Sequence, residues 1–256
     1  SSISAMYASG IIGNRTELSL QADLASTNAT LEGEVFLVNA PIAGNIEVTI
    51  DQEWTISTSD LTLDGAQVIL NINQDGGQIS AVQMDIPKAL NYVPLFEIPE
   101  EIQLNGLRAD WSWEGTWDQW VLNFDTKNTA LNYNGIAVPS LSCKGRWSWG
   151  AVPELSIPSL ALETNTGKIT GSLELKGDAP TLYTNLEGGS NLSELFDFIE
   201  TDLLVNPMGF WKGDHISLTQ GFRSWEDFTP VGSPIFKGDI SLFEGAFALA
   251  GSNISF

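Results

Sequence analysis

One cysteine, one histidine and eleven basic residues are all that this 256-residue chain offers to several common kinds of chemistry. With Cys143 alone, no internal disulfide framework exists, which leaves the compartment open. His215 alone cannot build a multi-histidine metal site, and any Ser-His-Asp triad would need it as the base. It lies in "WKGDHISL", which reads as the edge of a strand, without a nucleophile-elbow sequence nearby. Eleven Lys and Arg stand against 32 Asp and Glu, a net charge of −21. So acidic a surface repels phosphate and argues against nucleic acid as a partner. It also argues against docking to anionic headgroups through a basic patch, and it favours solubility. Phosphate-binding glycine loops and EF-hand calcium loops are absent. No cofactor is expected.

Long apolar runs are missing too. No stretch reaches the 18 or so residues of a membrane-spanning helix. The opening "SSISAMYASGIIG" lacks a basic flank and an apolar core of signal-peptide length. The chain therefore reads as a mature protein or an excised segment, with any anchor or targeting signal outside it.

What is present is period-two alternation. In "LRADWSW", Leu107, Ala109, Trp111 and Trp113 alternate with polar residues, as in a strand with one apolar face. "LSCKGRWSW" repeats this with Leu141, Cys143, Gly145, Trp147 and Trp149. Residues 169–175 ("ITGSLEL") and 236–242 ("FKGDISL") share one form, apolar, polar, small, polar, apolar, polar, apolar, and residues 31–37 ("LEGEVFL") follow it except at Phe36. The spacing between copies varies, unlike a strict solenoid repeat, and suggests hairpins delivered to one sheet. The recurring small residue suits either a bend or a close approach. Turn signals stand at "NQDGGQ" (73–78), "NYNG" (132–135) and "NTGK" (165–168). Within "ADWSWEGTWDQW", apolar parity moves from odd positions up to Trp113 to even positions at Trp120, Leu122 and Phe124. A tight turn near residues 117–119 accounts for the shift and leaves Trp117 in or beside it.

Helix is scarce. "MDIPKALNYV" (84–93) carries Asp85 as a cap and Pro87 in the first turn. "SNLSELFDFIE" (190–200) is capped by Ser190 or Asn191, has Glu194 at capping-box spacing, and shows an apolar stripe of Leu192, Leu195, Phe196 and Ile199.

The tryptophans admit three readings: a sugar-stacking platform, the core of a two-sheet sandwich, or an open apolar groove. Sugar binding wants polar groups beside the rings. Here Leu, Ala, Gly and Cys share the ring face, and the polar residues lie opposite. Asp110, Glu114 and Asp118 are the obvious carboxylates for a glycosidase, but they also suit a solvated hairpin face. No catalytic residue is assigned, and the chain is not expected to be an enzyme.

The one-faced strands with short helical interruptions resemble the AsmA-like proteins of Gram-negative bacteria. The likeness rests on Leu192, Leu195 and Phe196 in the second helical segment. It rests equally on Phe236, Gly238, Ile240, Leu242, Phe247, Leu249, Gly251 and Ser252 in "PIFKGDISLFEGAFALAGSNISF". That resemblance implies a periplasmic protein, anchored outside this chain, that passes phospholipid acyl chains between the inner and outer membranes. Its partners would be those acyl chains and other segments of the parent chain or membrane complexes.

Together these features predict an all-β chain: a long, curved and twisted antiparallel sheet with one apolar inner face (a β-groove) and two short helices. Residues 1–256 form a single segment of a larger protein in this reading. The predicted lipid-binding face comprises Val35, Leu37, Leu107, Trp111, Trp113, Trp120, Leu122, Phe124, Trp147, Trp149, Leu173, Leu175, Ile240 and Leu242. Each buried methylene contributes about 0.8 kcal/mol, so an acyl chain needs no polar recognition to bind. The alternative is a closed β-sandwich acting as a structural, adhesin or glycan-binding module.

Overall fold

A computed structural model describes residues 5–10, 16–31, 34–50, 53–92, 104–133, 136–194 and 204–249; before residue 39 it describes the backbone alone. The described strands are β1 (Ala5–Gly10), β2 (Thr16–Leu31), β3 (Glu34–Ile50), β4 (Trp54–Leu63), β5 (Ala66–Asn73), β6 (Gly76–Asp85), β7 (Leu104–Asn105) and β8 (Arg108–Thr116). They continue with β9 (Trp120–Tyr133), β10 (Ile136–Trp149), β11 (Glu154–Glu163), β12 (Lys168–Lys176), β13 (Thr181–Asn191), β14 (Leu204–Phe222) and β15 (Pro230–Leu249). Helix α1 spans Ile86–Asn91, and a second helix opens at Leu192, described as far as Glu194. The all-β expectation holds. All fifteen described strands belong to one sheet, each hydrogen-bonded to its sequence neighbours, except that β6 pairs with β8 while β7 pairs with β9.

The chain divides into two compact units. The first holds residues 1–102, 106–125 and 148–150; the second holds 103–105, 126–147 and 151–256.

In the first unit the pairing register builds one apolar face. Trp113 lies opposite Ile79 and Leu122, and Trp111 opposite Ala81 and Phe124. Ala81 in turn faces Val68, which faces Leu61. Ala40, Ile42, Leu61, Val68, Ala81 and Met84 form the buried cluster, with Ile86, Ala89 and Tyr92 of the α1 segment packed against it. The helix is placed by its cap: Lys88 N–H donates to Asp85 Oδ1 at 3.2 Å. Pro87, whose missing N–H costs nothing in a first turn, is buried.

In the second unit the register aligns Leu155, Leu175 and Leu182, then Ile157, Leu173 and Thr184. On the same face Leu186 meets Ile216, Trp211 meets Leu242, and Leu218 meets Phe236.

Bulges interrupt the ladder repeatedly, several with a non-glycine residue in the left-handed region: Asn39, Gln83 and His215; Asn128 of β9 shares that conformation. Side chains next door take up backbone donors at such places. Asp110 Oδ1 accepts from Gln83 N at 2.8 Å and Nε2 at 3.1 Å. Ser142 Oγ accepts from Asn128 N at 2.9 Å, and Thr184 Oγ1 from Leu218 N at 3.1 Å. His215 thus lies inside β14 at a bulge, not at a strand edge as the sequence suggested.

Three further sequence expectations need adjustment. Residues 31–37 are not one strand: β2 ends at Leu31, which pairs with Glu34 at the start of β3. The alternation there runs across a hairpin, so Leu31 and Val35 belong to different strands. The capping box at the second helix does not form as drawn. Asn191 N–H donates to Thr166 Oγ1 at 2.9 Å. The Glu194 carboxylate accepts from Asn165 N at 2.8 Å and from the Thr166 hydroxyl. Leu192 is buried as the stripe requires, while Leu195, Phe196 and Ile199 lie outside the described residues. Finally, at Gly171 the close approach comes from the next strand: a Cβ there would sit 2.1 Å from Asn185 O. Only glycine fits that contact.

Candidate functional site

Within the first unit, the tryptophans gather at the β8–β9 hairpin. Thr116 N–H donates to Gln119 O at 2.8 Å and Gln119 N–H to Thr116 Oγ1 at 3.1 Å, closing the turn at 117–119. The chain reversal puts Trp120 opposite Gly115, where a Cβ would meet the Gln119 carbonyl at 2.3 Å. Trp120 stacks on Trp149, with ring centroids 6.2 Å apart and 15° between planes. Trp113 stacks on Trp117 at 5.6 Å and 28°. Trp117 is 50% exposed, and its Nε1–H donates to Gln74 O at 2.9 Å. Alternation cannot reveal that contact, because a turn residue has no parity; the ring folds back over the strand. Trp111 differs from its neighbours. It packs on the buried cluster, and its Nε1–H points to Met84 Sδ at 3.3 Å.

The predicted face residues are therefore distributed as follows. Trp111, Trp113, Leu122 and Phe124 share one face of the first unit through direct register, and Trp120 and Trp149 join it through their stack. Leu107 lies just before β8, half-buried, and its carbonyl accepts from Ile86 N at 2.9 Å. Leu173, Leu175, Ile240 and Leu242 share one face of the second unit. Trp147 of β10, in that unit, is half-buried. The side chains of Val35 and Leu37 lie outside the described residues, although their strand positions opposite Thr30 and Ala29 are defined. Periodicity missed Ile79, Ala81 and Met84 on β6. Parity flips at the Gln83 bulge, so that Ala81 and Met84 both face Trp111 and Ala109.

Polar candidates fare differently. Asp110 is occupied by the Gln83 bulge, and Glu114 and Asp118 are exposed. Cys143 is half-buried beside Thr126, whose hydroxyl reaches its Sγ at 3.5 Å. Among the described residues, no three His, Cys, Asp or Glu side chains come together to hold a metal. A cleft of about 190 Å³ beside α1 is lined by Asp64, Gln83, Lys88 and Arg108 among others, below the size usual for a small-molecule site. No helix among the described residues is long and apolar enough to cross a membrane.

In the second unit a loop after β14 is pinned over the β12–β13 turn. Trp225 Nε1–H donates to Gly177 O at 2.9 Å, and Phe228 sets its edge against Trp225 and Phe222.

No protein-family model, curated protein or solved structure matches this chain.

Proposed function

We propose that the apolar sheet face holds lipid acyl chains, shielding them from water while headgroups stay in solvent, and that the chain is a non-enzymatic lipid carrier segment. The observation that carries this reading is the face in the first unit. Ile79, Trp111, Trp113, Leu122 and Phe124 line it in direct register, and none of them is fully buried. Every described strand belongs to a single sheet, so among the described residues no second sheet lies over that face. This favours the groove over the closed sandwich. Stacked tryptophans suit a surface with one apolar and one wet side. A net charge of −21 disfavours anionic headgroup recognition, which leaves the tails as the recognised part. A periplasmic setting and kinship with AsmA-like proteins belong to the same proposal and rest on the strand pattern alone.

Photo-crosslinking residues at Trp113 and Leu173 are expected to capture phospholipid from mixed vesicles, while one at Ser112, on the opposite face, captures none. Equal capture at all three positions overturns the reading. Mass spectrometry of organic extracts of the purified protein is expected to find co-purified lipid.

A further inference from the structure

The two rims of the first unit carry different chemistry. In an antiparallel meander every second turn returns to the same rim. The pairs Ile50–Trp54, Asn73–Gly76 and Gly115–Trp120 close three turns on one rim, and the pairs Thr55–Asn73 and Gly76–Thr116 put those turns side by side. Trp117 ties the last two turns together: its N–H donates to Asp75 O at 3.3 Å and its Nε1–H to Gln74 O. Trp149 joins the rim through its stack on Trp120, and Trp113 through its stack on Trp117. Ile50 (45%) and Trp117 are exposed there, while the other rings are half-buried. The opposite rim holds the Asp64–Gly65 turn, α1 and Arg108, with Lys88 paired to Asp64 at 2.9 Å. Among the described residues of the tryptophan rim there is no Lys or Arg, whereas Glu53, Asp75, Glu114 and Asp118 are exposed.

We propose that the tryptophan rim docks on the surface of a bilayer of zwitterionic phospholipid, with its rings at headgroup depth. Indole joins a broad apolar ring to one polar N–H, and tryptophan concentrates at the membrane–water interface for that reason. The four carboxylates resist entry into hydrocarbon, so the contact is shallow. At that depth they meet the ammonium ends of choline or ethanolamine headgroups, and a ring face over such a cation adds its own attraction. A purely anionic headgroup offers no such cation and is repelled. The choice of lipid as partner rests on the carrier reading above. With this rim on the membrane, an acyl chain passes from the bilayer onto the face of Trp111 and Trp113 without crossing the charged rim.

Co-sedimentation of the full chain with phosphatidylcholine vesicles tests this. Association is expected, and it weakens when phosphatidylglycerol is added to the vesicles at low salt. Trp117→Ser is expected to weaken it about tenfold, and Ile50→Ser to weaken it in the same direction. Val82→Ser, at a position 52% exposed beside α1, is expected to leave it unchanged. All three positions are exposed, and circular dichroism checks that the sheet persists. No association, tighter association with phosphatidylglycerol, or equal losses at both rims overturns the inference. A glycan or protein partner for the rings registers as the first of these outcomes. Sedimentation without lipid capture at Trp113 and Leu173 defeats the carrier reading and leaves the docking rim standing. Capture without sedimentation that depends on Trp117 defeats the docking rim alone.

Discussion

The neighbourhoods of Leu61 and Ile240 are written in the same alternating code yet end in opposite environments. Leu61 faces Val68, and Ala81 and Met84 join them beneath α1, all buried. Ile240 and Leu242 keep the same facing relative to their neighbour strand but stay largely in solvent. Alternation therefore decides which way a side chain points. What lies over it, and whether another strand lies beside it, decides whether pointing becomes burial.

Truncation separates the two regions most strongly. Leu61→Ala is expected to cost about 2 to 5 kcal/mol, the usual range for opening a cavity in a packed core. Ile240→Ala is expected to cost under about 0.5 kcal/mol, as at an exposed position. Urea melts of both variants under dilute conditions measure the contrast, and equal costs would erase it. Next in size is the bulge that carries the alternation of β6 across Gln83. Asp110→Ala strips the acceptor from Gln83 N and is expected to cost about 1 to 3 kcal/mol. The same melts check it, and hydrogen exchange at Gln83 is expected to quicken.

An effect smaller than that of Asp110→Ala lies in the second unit. Burial alone would raise the carboxyl of Glu194, but hydrogen bonds from Thr166, Thr164 and the Asn165 and Thr166 amides outweigh it and hold its pKa below the ordinary range. A group lowered on folding stabilises the protein above its unfolded pKa and loses that contribution as pH falls through its folded value. Glu194→Gln is therefore expected to cost about 1 kcal/mol near neutrality. The difference from the parent is expected to fade as the medium becomes acidic enough to protonate the carboxylate. Stability measured against pH for both proteins tests the sign.

Much of this was legible before any coordinates. The parity change between Trp113 and Trp120 located the 117–119 turn, and the Asp85 cap with Pro87 located α1. Turn signals at 73–78 and 165–168 also correspond to chain reversals, where Asn73 Oδ1 accepts from Gly76 N at 3.1 Å and Thr164 N–H donates to Gly167 O at 2.9 Å. The signal at 132–135 falls largely on residues outside those described. Bulges were illegible because their left-handed residues, Gln83 and His215 among them, carry no side-chain signature of that conformation. The Glu194 clasp was illegible because its partners lie 28 and 29 positions away in the chain. The exposure of β15 was illegible for a simpler reason: being last in a sheet leaves no mark on a strand's own alternation.

The strand order carries a kinetic consequence. Because nearly every strand pairs with the one made just before it, each hairpin can zip onto a finished neighbour without waiting for distant sequence to arrive. Loop closures then stay short, and chain entropy is spent in small instalments. The same arrangement lets opening begin at β15 and move inward one strand at a time, so amide exchange should slow stepwise from β15 to β13.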